Sequence, residues 1–167
     1  DKISRLHIYF SLLRRGLTED EKSRLDVELM RLYERFGITR DNDSLYDEYG
    51  NLKPQPTPAD FYELLNEREE TKSLAGILSR FVNGSAANLG GETNVDMNNK
   101  YIVLDISEIG KELLPFGTLL AADICLDYCR ISRAENKVVI LDEVWSLIGA
   151  GSNAQAAEFV LELFKTV

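Results

Sequence analysis

The sequence predicts an α/β chain, helix-rich first and β–α–β second. Three observations carry that reading. Apolar residues recur at helical spacing through roughly the first half of the chain. After Lys100 two short β-rich apolar runs appear, YIVLDIS and KVVILDE. Between them lies a helical stretch, and strand–helix–strand with continuous apolar strands is the signature of a parallel unit buried on both faces. Its crossover is expected to be right-handed. The boundary predicted from this switch separates an all-helical part, residues 1–99, from a sheet-forming part, residues 100–167.

The first helix is predicted within DKISRLHIYFSLLRR, where Ile3, Leu6, Phe10 and Leu13 share one face and Gly16 supplies the C-terminal stop. The second starts at Thr18. Glu21 stands three residues on, the spacing of a capping box, and Glu19, Asp20 and Glu21 suit the positive end of the helix dipole. Leu25, Leu29, Leu32, Tyr33 and Phe36 form its apolar stripe, and Gly37 ends it. The pair reads as a helical hairpin. Residues 39–56 are polar, with Asn, Asp, Gly and two prolines, and read as a surface loop. Thr57 as N-cap, Pro58 at the first helical position and Asp60 as capping acid open a third helix, with Phe61, Leu64 and Leu65 on its inner face. A fourth is expected over Lys72–Phe81, followed by loop in NGSAANLGGETN. A fifth runs from about Leu113 to Ser132 with the stripe Leu113, Phe116, Leu120, Ile124, Tyr128 and Ile131. A last helix is predicted from Asn153, with Ala156, Phe159, Val160, Leu163 and Val167 along one side.

Composition narrows the function. The chain has 167 residues, 44% hydrophobic and 9% aromatic, which is enough for a core. Its net charge of −9 argues against a broad nucleic-acid footprint. The uncharged stretch Leu113–Ala122 falls short of the roughly 20 apolar residues of a membrane span, and no signal peptide is visible. The chain starts at Asp1 without Met and stops on the apolar face of its last helix, which reads as an excerpt of something longer.

KVVILDEVW is the stretch that carries chemistry. Four aliphatics, Val138–Leu141, precede Asp142 and Glu143. Ligands bind at the C-terminal edge of open parallel sheets, and in nucleotide hydrolases this arrangement is the Walker B element. Asp142 would hold Mg²⁺ through water, and Glu143 would orient and polarise the attacking water. The alternative is a strand that runs into an acidic helix start. No G-x-x-x-x-G-K-[ST] is present, and GAGSN at Gly149–Asn153 has no lysine and reads as a loop. Without a phosphate-cradling loop, the chain alone is expected neither to bind ATP well nor to hydrolyse it.

The remaining candidates read as structural. Cys125 and Cys129 lie four apart on one helical face as small apolar residues in a reduced environment. With His7 as the lone histidine they cannot complete a zinc site. His7 reads as a surface or satisfied core histidine. Asp105 reads as a strand-end acid capping the next turn rather than a catalytic group, and Asp123 and Asp127 as a solvated helix face. Arg130 and Arg133 suit a helix C-terminus.

These motifs, in order, resemble a family. VVILDEVWSLI is similar to the Walker B region of the VirB/TraE-type ATPases of type IV secretion and conjugation, in the HerA/FtsK-like branch of the RecA-type fold. LTEDEKSRLDVELMRLYERFGIT resembles a helical insertion of that family, PTPADFYELL its "P-T-x-x-D-F" segment, and GGETNVDMNNKYIVLDIS the stretch leading into the next core strand. The resemblance covers nearly all of the chain. It implies a helical insertion followed by part of a RecA-like parallel sheet with a Walker B strand. It also implies a hexameric parent that uses ATP and Mg²⁺ to drive pilus assembly or substrate transfer, in the cytoplasm at the inner face of the membrane. That parent would be held there through other secretion components. The phosphate loop is then expected upstream of Asp1, and the glutamine-bearing strand and arginine finger beyond Val167. Two other readings stay open: a helical docking module for secretion components without chemistry of its own, and part of a DNA-translocating coupling protein. Parallel strands with uncovered edges would also favour self-association.

Overall fold

A computed structural model describes residues 2–14, 16–91, 95–96, 99–131 and 136–142. Five α-helices are described: α1 (Lys2–Leu13), α2 (Glu19–Arg35), α3 (Pro58–Asn66), α4 (Lys72–Val82) and α5 (Leu114–Ile131). The chain divides into two compact units. Asp1–His7 and Gly16–Asn94 make the first, and Ile8–Arg15 and Val95–Val167 the second.

In the first unit the predicted helix starts hold. Glu21 N–H donates to Thr18 Oγ1 at 3.2 Å while Thr18 N–H donates back to Glu21 Oε2 at 2.9 Å. Thr57 and Asp60 repeat the same box at α3, behind Pro58. Each box satisfies N–H groups that a helix leaves without an internal partner. At the other end of α2, Gly37 N–H donates to Glu34 O at 2.9 Å and Ile38 N–H to Tyr33 O at 3.0 Å. That double bond pattern needs a left-handed residue, and Gly37 supplies it at φ +66°. α3 packs on α4 and α2 on α3. Leu25, Leu29, Leu64, Leu65 and Leu74 lie fully buried among them. The start of α1 runs antiparallel beside α2, with His7 3.2 Å from Asp26 and Lys2 Nζ 5.6 Å from the centre of the Tyr33 ring.

Residues 39–56 are more built than a plain loop. Asn42–Leu45 is a short 3₁₀ turn capped by Asp41. Tyr46 and Leu52 then form an antiparallel bridge. Gly50, at φ +82°, lets the chain reverse between them.

In the second unit, Leu119, Ala122 and Leu126 form the buried stripe of α5, and Phe10 is buried on the α1 side. The Tyr9 and Phe116 rings meet edge to face at 5.3 Å. The observed bounds of α5 match the helix expected between the two apolar runs, but the expected stripe is corrected: Leu113, Phe116, Leu120, Ile124 and Tyr128 are only half-buried, and the buried face is the neighbouring one.

The α/β expectation is corrected here. Among the described residues there is no sheet, and the one β pairing is the Tyr46–Leu52 bridge. Neither YIVLDIS nor the described part of KVVILDE forms a strand, so the RecA-like parallel sheet with its Walker B strand is not seen. Exposure nevertheless alternates residue by residue along both runs. Tyr101, Val103, Val138 and Ile140 lie outward, the last two each 86% exposed. A β-branched run has the side-chain pattern of a strand by itself, but a strand exists only through a neighbour's backbone hydrogen bonds. The predicted helix from Asn153 lies outside the described residues.

Candidate functional site

Asp142 closes the second apolar run. Its side chain is exposed, as the outward member of the alternation that also turns Val138 and Ile140 out. The start of the run is held by Lys137. The Lys137 ammonium lies 3.5 Å from Cys129 O and 5.4 Å from the centre of the Tyr128 ring, at the C-terminal end of α5. A cation there is favoured by the helix dipole and by the ring face. Lys137 therefore ties the run to α5, five residues before Asp142. Sequence reading passed over this lysine, although a single base at the head of an aliphatic run was a visible signal. Glu143 lies outside the described residues, as do Arg133 and Gly149–Asn153.

Asp105 takes the capping role. Ser107 N–H donates to Asp105 Oδ1 at 2.9 Å, and that bond holds the carboxyl below its ordinary range. Asp123 accepts from the Tyr9 hydroxyl at 3.2 Å, and Asp127 lies 3.6 Å from Arg130 within the last turns of α5. Cys125 and Cys129 are free, half-buried thiols. Burial pushes the Cys125 thiol up, and its neighbour Cys129 adds to this. A raised thiol is a poor nucleophile at neutral pH.

Among the described residues no three of His, Cys, Asp and Glu gather as a metal-binding group. A single exposed carboxylate still suits Mg²⁺, which keeps most of its waters and is held by one or two carboxylates plus substrate phosphates. The donor chemistry of Asp142 fits that ion only together with a nucleotide.

The first unit carries a polar site that sequence reading missed. Glu28 is buried, and its carboxylate accepts from Arg31 at 3.1 Å and from Arg68 at 3.1 Å. Arg31 also donates to Glu67 at 3.0 Å, and Arg35 grips Glu67 with two bonds at 2.6 and 2.7 Å. The Arg35 guanidinium holds the Glu67 carboxyl below its usual range. A cleft of about 200 Å³ beside this network is lined by Ser23, Arg24, Val27, Glu28, Arg68, Glu70 and Thr71. Of its charged groups, Glu28 is engaged with Arg68, and Arg24 with Asp20 and the Glu70 carbonyl. The cleft reads as packing around the network.

Among the described residues no helix is long and apolar enough to cross a membrane. No protein-family model matches the chain, and no curated protein matches it. Among solved structures it is similar to VirB4 of Thermoanaerobacter pseudethanolicus, at a TM-score of 0.82 and 28% sequence identity. The match covers 98% of this chain and 45% of that one. The ordered motifs and the fold comparison thus converge: the chain is VirB4-like over nearly its whole length and spans a little under half the length of the VirB4 it matches.

Proposed function

We propose that the chain belongs to a longer ATPase of type IV secretion or conjugative transfer, in which Asp142 and Glu143 handle the nucleotide. The observation that carries this is the similarity to VirB4 along 98% of the chain, with the VVILDE run inside it. In the full-length protein ATP and Mg²⁺ would come together at this run. Asp142 would hold the ion through water, and the ion would offset charge on the phosphates. Glu143 would align the attacking water and polarise it. The phosphate-cradling loop would come from outside residues 1–167, so this stretch alone would not turn over ATP. Assembly into a hexamer and attachment to the inner face of the membrane through other secretion components complete the proposal. ATP use would then drive pilus assembly or substrate transfer.

The test is Glu143→Gln in the full-length protein. It removes the carboxylate that polarises water and leaves Asp142 in place. ATP turnover is expected to fall by 10²-fold or more, with nucleotide binding retained. Unchanged turnover would remove Glu143 from the mechanism.

A second reading concerns the helical unit alone. Its own buried core and its separation as a compact unit favour a docking module for other secretion components. Failure of residues 1–99 to retain any such component would count against it.

A further inference from the structure

We propose that the hairpin around Tyr49 is a docking element, and that its occupant is an apolar pocket with a cationic rim on another protein. The backbone is organised for display. Asp47 N–H donates to Asn51 O at 2.8 Å and Lys53 N–H to Leu45 O at 2.8 Å, which makes Tyr46 and Leu52 the directly opposed pair between them. Opposed residues of this kind stand on the same face of the ribbon. Tyr49 sits at the tip, in the reversal closed by Gly50 N–H to Asp47 O at 3.1 Å. The Asp47 carboxylate ties the loop from within. It accepts from Tyr49 N–H at 2.9 Å, from Asn51 N–H at 2.8 Å and from the Asn51 side chain at 3.2 Å.

This well-tied turn exposes large apolar side chains. Tyr49 is 81% exposed, Leu52 60% and Tyr46 51%. A rigid aromatic anchor already ordered before binding is the form that interface hot spots take. Three side chains cannot supply the roughly 800 Å² per partner of a standard flat interface. They fit a concave site that surrounds the tip.

Charge selects the kind of site. Asp41, Asp43 and Glu48 are exposed in this segment, against one exposed base, Arg40. Lys53, one of two bases in the segment, is turned away to bond Gly37 O at 2.9 Å. A net acidic segment repels phosphates, which disfavours nucleic acid and anionic lipid, and it favours Lys and Arg at the rim of the receiving pocket.

The experiment places the photoreactive residue p-benzoylphenylalanine at position 49 of the full-length protein in its own cells. A matched protein carries it at the exposed Glu63. After irradiation the cross-linked peptides are sequenced. The expected result is an adduct from position 49, and not from 63, to one other protein, at a peptide where apolar residues adjoin Lys or Arg. Its yield should fall at least fivefold in the Asp43→Lys, Glu48→Lys double variant, whose substitutions are on the surface and spare the turn bonds. Absence of an adduct would overturn the proposal. So would an adduct to a second copy of the chain or to lipid, equal labelling from position 63, or indifference to the charge reversal. The readout needs no nucleotide, so it stands or falls apart from the Glu143 result.

Discussion

Thr71 shows what a single buried hydroxyl does in this fold. It lies 2.6 Å from Leu65 O and 3.1 Å from Arg68 O, and it is 2% exposed. Leu65 is in the last turn of α3, where carbonyls have no partner within the helix. The Thr71 hydroxyl supplies one. Thr71→Val keeps the volume and removes the donor, so it should destabilise the helical unit by about 1–2 kcal/mol. The midpoint of urea unfolding reads this directly, and an unshifted midpoint would refute it. Thr18 and Thr57 were legible as caps because each acts three residues ahead, within one helix turn. Thr71 was not, because its acceptor lies six residues back and only the turn between α3 and α4 brings the two together.

Among elements, the Glu28–Arg31–Arg68 cluster ties α2 to the segment between α3 and α4. Glu28 is buried while both arginines are partly exposed. The costly error is therefore to strip the cations and leave the carboxylate, since a buried charge without a partner is worse than no charge. Arg31→Ala with Arg68→Ala should cost about 2–3 kcal/mol, discounted from the fully buried case because the arginines reach solvent. Glu28→Gln should cost less than that double change. Thermal unfolding of both variants settles the order, and an equal or larger loss for Glu28→Gln would reverse the account. The apolar stripe of α2, Leu25, Leu29 and Leu32, was readable from its spacing. The burial of Glu28 was not, because it depends on Arg68, forty residues away.

At the scale of the molecule, the helices were legible, whereas the sheet read into the two apolar runs is absent among the described residues. Helix bonds close within four residues, so caps and apolar spacing specify α2 and α3 from local sequence, and the extents of α4 and α5 were legible as well, but the buried face of α5 was not. A strand depends on a neighbour that local sequence does not identify, and Tyr101–Ile106 and Lys137–Leu141 have the alternation without the ladder. Of the candidate site, the place of Asp142 at the end of an aliphatic run is plain in the sequence, whereas its exposure and the Lys137 contact with α5 needed the fold. This contrast predicts hydrogen exchange in the 167-residue chain. Amides of α2, α3 and α4 should be protected, and those of Ile102, Val103, Val139 and Ile140 should exchange with little protection. Strong protection in the two runs would mean that a ladder forms in solution.

The twin capping boxes have a consequence in time. Thr18 with Glu21, and Thr57 with Asp60, fix where α2 and α3 begin using only the first four residues of each. α4 then folds back on α3 across a connection of a few residues. Contacts so near in sequence form early, because little chain entropy is lost in closing them. A ribosome making this chain would release the α3–α4 pair ready to assemble before Lys137 and Asp142 had been synthesised.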